Sequence, residues 1–159
     1  MPANDINRWL RSAFAELQHS QQRQLVVLKG TRAWCDEQLS LLLGAFSQLR
    51  LISDRHQADS VIEPRKAASW LGDESDLVVV DVHGGLDPDV ICIAAGMVKS
   101  GGILLLLSPP VSEWNLEQDA SAKWHINLFS NPLKYASGLL FLLWGLCGHF
   151  SFATVPKRR

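Results

Sequence analysis

The hydrophobic and polar positions of this chain follow two rhythms. Between Asp5 and Gln18, Ile6, Trp9, Leu10, Ala13, Phe14 and Leu17 recur at helical spacing, with Arg8, Arg11 and Glu16 off that face. That pattern predicts an amphipathic helix. Further on, apolar residues come in short runs: Leu25 to Leu28, a short second strand near Leu49 to Ile52 that Arg50 interrupts, Leu77 to Val80 and Ile103 to Leu107. Runs without alternation are expected of strands covered on both faces, as in a parallel sheet. Between the first two runs, Thr31 stands as N-cap of a helix whose Trp34, Leu39, Leu42, Leu43 and Phe46 can cover the sheet. Ser53 to Ile62 reads as polar and irregular, and Pro64 opens a brief helix, Arg65 to Leu71, stopped by Gly72.

The stretch from Leu77 to Pro110 organises the rest. Its first apolar run ends on Asp81, and Gly84-Gly85 makes a turn. There the chain must bend sharply, so both glycines are expected to serve backbone geometry. Asp87 and Pro88 then supply an N-cap and a first helical residue. Val90, Ile91, Ala94, Ala95 and Val98 share helical spacing, Gly101-Gly102 is expected to stop that helix, and Pro109-Pro110 closes the second run. This is a βαβ unit, a connection that is right-handed almost without exception. Strands alternating with helices predict an α/β fold with a mostly parallel sheet, and the length suits one domain spanning residues 1–159.

The C-terminal end breaks the pattern. Ser112 to His125, with Trp114 and Trp124, reads as a loop or short helix, and Pro132 begins a last helix. Tyr135 to Val155 carries no Lys, Arg, Asp or Glu, and Lys157-Arg158-Arg159 follows. That length could span a membrane with a basic cytoplasmic flank. Gly138, Gly145, Gly148 and His149 divide the run, which favours a buried helix followed by a core strand or hairpin. Its apolar residues are too many for one exposed face. The expectation is partial burial within the chain and partial contact with a second copy or a partner, with Trp144 and Phe150 as anchors.

Composition narrows the classes. Hydrophobic residues at 47% against 19% charged exclude a disordered chain. A net charge of −1 gives no bulk attraction to nucleic acid or acidic lipid. Cys35, Cys92 and Cys147 are odd in number and form no CxxC, so neither a disulfide framework nor a zinc site is indicated. A reducing cytoplasm suits them.

Ligands of parallel sheets bind beyond the strands' carboxyl ends. Here that edge gathers Gly30 to Arg32, Ser53 to Arg55, Asp81 to Asp87 and Ser108 to Glu113. The candidate residues are Gly30, Arg32, Asp81, His83, Gly84 and Asp87. The Val78 to Asp81 strand resembles a Walker B strand, whose Asp holds Mg²⁺. However, the turn after the first strand, KGTRAWCDEQ, lacks both the Gly-Lys-Ser/Thr phosphate cradle and GxGxxG. A structural Asp81 is the better reading. A methyltransferase-like domain, suggested by Gly101-Gly102 before Ile103, lacks its glycine-rich first loop. Asp81, His83 and Asp87 could share a proton or a divalent metal. The alternative gives Asp87 to the helix cap, Asp81 to loop N–H groups, and leaves His83 exposed. No GxSxG elbow occurs. The six Trp could stack on bases, although most sit on apolar helical faces and suit core packing. Arg32, Arg55, Arg65 and Lys66 are interrupted by acids and read as solvated surface. No catalytic residue, cofactor site or metal ligand is assigned.

The order of these pieces resembles a known family. LVVLKGTRAWCDEQ (Leu25 to Gln38), VVVDVHGGLD (Val78 to Asp87), the glycine turn and apolar strand running from Gly101 to the Glu-Trp at Trp114, the Ser-x-x-Trp of Ser121 to Trp124, and the terminal HFSFATV together resemble the N-terminal domain of TmcA, the bacterial tRNA(Met) cytidine acetyltransferase. The likeness runs essentially the whole length. It departs at Pro132 to Trp144, where the family keeps an amphipathic helix and this chain is shorter and almost uniformly apolar. The resemblance implies a Rossmann-like three-layer domain. It implies a non-catalytic accessory role, packing on a helicase-like domain and helping to hold tRNA. ATP and acetyl-CoA would serve only the full-length enzyme, in later domains absent here, and an ATP-dependent RNA acetyltransferase would be the activity of that enzyme rather than of this chain. The alternatives are a stand-alone nucleotide-binding protein using the Asp81 loop, and a small membrane-tethered protein.

Overall fold

The computed structural model describes residues 3–42, 46–56, 58–110 and 150–156. In chain order these form α1 (Ala3–Ser20), β1 (Arg23–Lys29), α2 (Arg32–Leu42), β2 (Leu49–Ile52), β3 (Val61–Ile62), a 3-10 helix (Pro64–Trp70), β4 (Ser75–Asp81), α3 (Pro88–Met97), β5 (Val98–Ser108) and β6 (Phe150–Pro156). The six strands make one sheet in the order β3-β2-β4-β5-β1-β6, and every pairing is parallel. The fold is α/β and Rossmann-like.

Two apolar layers flank the sheet because successive side chains of a strand point to opposite faces. On one face, Val26, Leu28, Leu77, Val79, Ile103 and Leu105 pack with Ile6, Leu10 and Leu17 of α1 and Cys35, Leu39 and Leu42 of α2. On the other, Leu25, Val78, Val80, Leu104 and Leu106 pack with Ile91, Ala94 and Ala95 of α3 and Ala67 of the 3-10 helix. This double cover is why the β4 and β5 runs show no alternation. Trp9 and Trp34 pack on the first layer and Trp70 on the second. Trp70 also lies under the Arg50 guanidinium at 4.9 Å. α2 carries the chain from β1 toward the β3 side on one face, and α3 carries it from β4 toward the β6 side on the other. The two crossovers therefore share one hand, as the right-handed rule requires.

Several expectations are corrected. The last residue of α3 is Met97, and Val98 already has extended backbone and pairs with Ser75. Gly101 and Gly102 lie inside β5 rather than ending the helix. Gly101 has φ +79, and a Cβ there would meet Gln18 Cα at 3.0 Å and Leu17 O at 3.1 Å. It lets the end of α1 rest on the strand. The Ser53 to Ile62 stretch ends in a strand, β3, because Val61 and Ile62 find partners in Leu51 and Ile52. Of the Gly84-Gly85 pair, Gly85 has positive φ, +129, and Gly84 does not.

At the C-terminal end, Phe150–Pro156 pairs with β1 from Arg23 to Lys29. The strand of the expected helix-and-strand ending is present. Leu43, the Ser112 to His125 segment, the helix expected from Pro132, and Trp144 lie outside the described residues. Among the described residues no helix is long and apolar enough to cross a membrane. The last part of the uncharged run, from Phe150, is a sheet strand.

Candidate functional site

The β1–α2 loop, the β2–β3 loop and the β4–α3 loop meet above the carboxyl ends of the strands. Asp81, the last residue of β4, is their common point, with a side chain 2% exposed. Its Oδ1 accepts from the His83 backbone N–H at 3.1 Å and faces His83 Nδ1 at 2.8 Å. Its Oδ2 accepts from Arg55 Nε at 2.9 Å, Arg55 Nη2 at 2.6 Å and the Ser53 hydroxyl at 3.3 Å. Burial works against an ionised Asp81. The bonds from His83 and Arg55, with the Arg55 charge, outweigh it and hold the carboxyl well below the ordinary carboxylate range. Arg55 also reaches Asp36 of α2, with Nη1 and Nη2 each at 3.2 Å. One guanidinium thus ties β4 to α2.

His83 is buried rather than exposed, because residues distant in sequence close over it. Its Nε2 faces the Gly30 carbonyl at 3.1 Å. Its own carbonyl accepts from Arg32 Nη2 at 2.9 Å. Gly30 donates its N–H to the Ser108 carbonyl at 3.0 Å. The Trp34 ring occupies the place a Cβ on Gly30 would take, so only glycine lets that ring settle on the loop. Val82 N–H donates to the Leu107 carbonyl at 2.9 Å. These bonds close the end of β5 from both sides, where the α2 and α3 connections leave for opposite faces.

The structure therefore joins Gly30, Arg32, Asp81 and His83 in one bonded network. Gly84 lies beside it, its Cβ position 3.6 Å from Asp54 Oδ2. Asp87 serves elsewhere: it caps α3, accepting from Asp89 N–H at 2.9 Å. Among the described residues no group of three or more His, Cys, Asp or Glu is placed to hold a metal ion.

Sequence reasoning missed Asp36 and His56. Ser53 Oγ lies 3.1 Å from His56 Nδ1, and His56 Nε2 lies 3.6 Å from Asp36 Oδ1. A serine, a histidine and an aspartate thus share one corner. Ser53 is buried, however, and its oxygen already accepts from Arg55 N–H at 3.2 Å. A substrate carbonyl has no approach to it. No local signal marks these residues, since the crossover from β1 to β2 is what brings Asp36 to Arg55. Burial first, then the nearby Asp81 and Asp36 carboxylates, push the Cys35 thiol up to about 12, which disfavours the thiolate form.

Known proteins match this chain along most of its length. A family model described as "tRNA(Met) cytidine acetyltransferase TmcA, N-terminal" matches residues 1–144. The tRNA(Met) cytidine acetyltransferase TmcA of Photorhabdus asymbiotica is 34% identical over 155 residues, 91% of this chain and 23% of that protein. The TmcA of Nitrosococcus halophilus is 33% identical over 114 residues, 70% of this chain and 15% of that protein. An archaeal TmcA, from Haloferax volcanii, is 32% identical over 108 residues, 62% of this chain and 14% of that protein. The chain thus spans less than a quarter of the length of these relatives. With 144 of its residues matched by the family model, it belongs to the family of TmcA N-terminal domains.

Proposed function

We propose that this chain acts as a non-catalytic accessory domain of a tRNA(Met) cytidine acetyltransferase, packing on the helicase-like module of that enzyme in the cytoplasm. One observation carries the reading: the carboxyl edge, where α/β domains bind ligands, is filled by its own side chains. Asp81 has both oxygens engaged, and the loop after β1 is closed by Trp34 and His83 rather than open to a phosphate. ATP and acetyl-CoA then belong to other parts of such an enzyme, and this chain holds neither. The edge is also poor in net positive charge: Arg32 and Arg55 stand among Asp36, Asp54, Asp81, Asp87 and Asp89. Any contact with tRNA phosphates falls on another surface, because phosphate binding needs unneutralised Lys and Arg. The free thiols Cys35 and Cys92 suit a reducing compartment.

The test is a pair of assays on the purified chain. Neither ATP turnover nor acetyl transfer to tRNA(Met) is expected, and MgATP is expected to leave the melting temperature unchanged. ATP turnover above a buffer blank, abolished by Asp81→Ala, overturns the reading and restores a nucleotide site at the Asp81 loop.

A further inference from the structure

The two edges of the sheet are built differently. β3, at one edge, has two residues and lies between Asp59 and Glu63, a short and charged border of the kind that discourages further pairing. β6, at the other, has seven residues, Phe-Ser-Phe-Ala-Thr-Val-Pro, without Lys, Arg, Asp or Glu. It follows β1 position by position without a bulge, from Arg23 opposite Phe150 to Lys29 opposite Pro156. Its single proline is its last residue. Among the described residues no strand pairs with its outer side. A long, regular, uncharged edge is a template for another strand.

Beside this edge lies a concave shelf of about 390 Å³, lined by Trp9, Ser12, Ala13 and Glu16 of α1 and by Gln22 and Gln24 at the start of β1. Gln24 stands opposite Ser151 of β6 in register, so shelf and edge are continuous.

We propose that β6 is a homodimer edge: a second copy of this chain adds its own β6 antiparallel, about a two-fold axis at Ala153. A second copy brings an edge of the same length that is equally free of charge, so the two β6 strands match each other without opposing like charges. The axis puts position 153 at the centre and sets position 152 across from position 154 of the other copy, so the two seven-residue backbones pair along their whole length. An axis normal to the sheet keeps like faces together. The two α1 shelves then flank the seam on one face and extend a contact that a strand pair alone leaves small. This inference does not depend on the accessory role above, which the ATP and acetylation assays test separately.

The experiment is sedimentation equilibrium of the full chain from about 1 to 200 µM, with amide hydrogen exchange at both ends of that range. The weight-average mass is expected to rise from 17.7 kDa toward twice that value, and β6 amides are expected to exchange more slowly at the high concentration. Thr154→Pro, checked for folding by circular dichroism, is expected to stay monomeric. If that variant unfolds, the concentration dependence of β6 exchange in the wild type decides alone. A mass that stays at the monomer value overturns the proposal. So does a dimer whose β6 exchange ignores concentration. A monomer with β6 already protected at every concentration assigns the cover of this edge to the chain itself, and also overturns it.

Discussion

Replacing Asp81 by Asn tests whether the carboxyl edge is held by charge. The substitution keeps shape and one acceptor oxygen but removes the negative charge facing Arg55 and turns an acceptor into a donor. Two charge-assisted contacts are lost, to Arg55 at 2.6 Å and to the His83 ring at 2.8 Å. Each such bond contributes about 1.5–3 kcal/mol. Arg55 is a quarter exposed and keeps Asp36, which lowers its share. The expected loss is about 3 kcal/mol. Arg55→Met should cost less, about 2 kcal/mol, because His83 and Ser53 still face the carboxylate. The double variant should cost about 1–2 kcal/mol less than the sum, since the two residues are in direct contact. Urea unfolding at pH 7 reads these values. With a slope of about 1–3 kcal/mol per molar, Asp81→Asn moves the midpoint by roughly 1 M or more.

The pH dependence has a definite sign. The folded-state pKa of Asp81 lies below that of the unfolded chain, so its contribution is fully present above about pH 4, the unfolded value. It is lost as pH falls toward the folded value. The Asn variant should lack this part of the acid sensitivity. A loss under about 0.5 kcal/mol, the range of ordinary surface changes, together with unchanged acid sensitivity, would refute the reasoning.

Three further outcomes are expected. Gly85→Ala should lower stability by about 1–3 kcal/mol because its φ of +129 suits only glycine, whereas Gly84→Ala, with 3.6 Å to its nearest contact, should leave the melting temperature within a degree or so; equal effects in thermal melts would contradict this. Gln38 is buried, and among the described residues neither its Oε1 nor its Nε2 has a hydrogen-bond partner, so Gln38→Met should stabilise by about 1 kcal/mol, and a lower urea midpoint would count against it. Iodoacetamide should modify exposed Cys92 and spare Cys35 in the native protein, and mass mapping of the peptides distinguishes the two.

The sheet was legible in the sequence for a simple reason. Leu77 to Val80 and Ile103 to Leu107 are unbroken apolar runs because helices cover both faces, and a doubly buried strand leaves no other signature. The Asp87-Pro88 cap was equally plain, since it depends on three adjacent residues. Readings failed where distant residues decide. Val98 keeps helical spacing from Ala94, yet its pairing with Ser75 makes it strand. Gly101 looks like a helix stop, but the reason for glycine there is α1, whose end sits against it from more than eighty residues upstream. His83 stands at the start of the glycine turn and reads as exposed, while Gly30 and Arg32 bury it from about fifty residues away. Asp36 was invisible as a site residue because its partner Arg55 lies across a crossover.

These long-range contacts bear directly on chemistry. An aspartate at the end of an apolar strand is available to a metal–nucleotide complex only if its oxygens are free. Here Asp81 would first have to release Arg55 and His83, at a cost of about 3 kcal/mol by the estimate above. At 1.4 kcal/mol per tenfold, that weakens any ligand at this point by roughly a hundredfold before a contact is made. The loop that would receive phosphate offers no compensation, because Gly30 carries Trp34 on one side and His83 on the other. The polar groups that α/β domains usually direct outward at this edge are directed inward here, where they join α2, β2 and β4 into one rigid rim. This inward arrangement is what supports the accessory role proposed above. Under that proposal, contacts fall to surfaces such as the β6 edge and the flank of α1, which the sedimentation and exchange experiments probe directly.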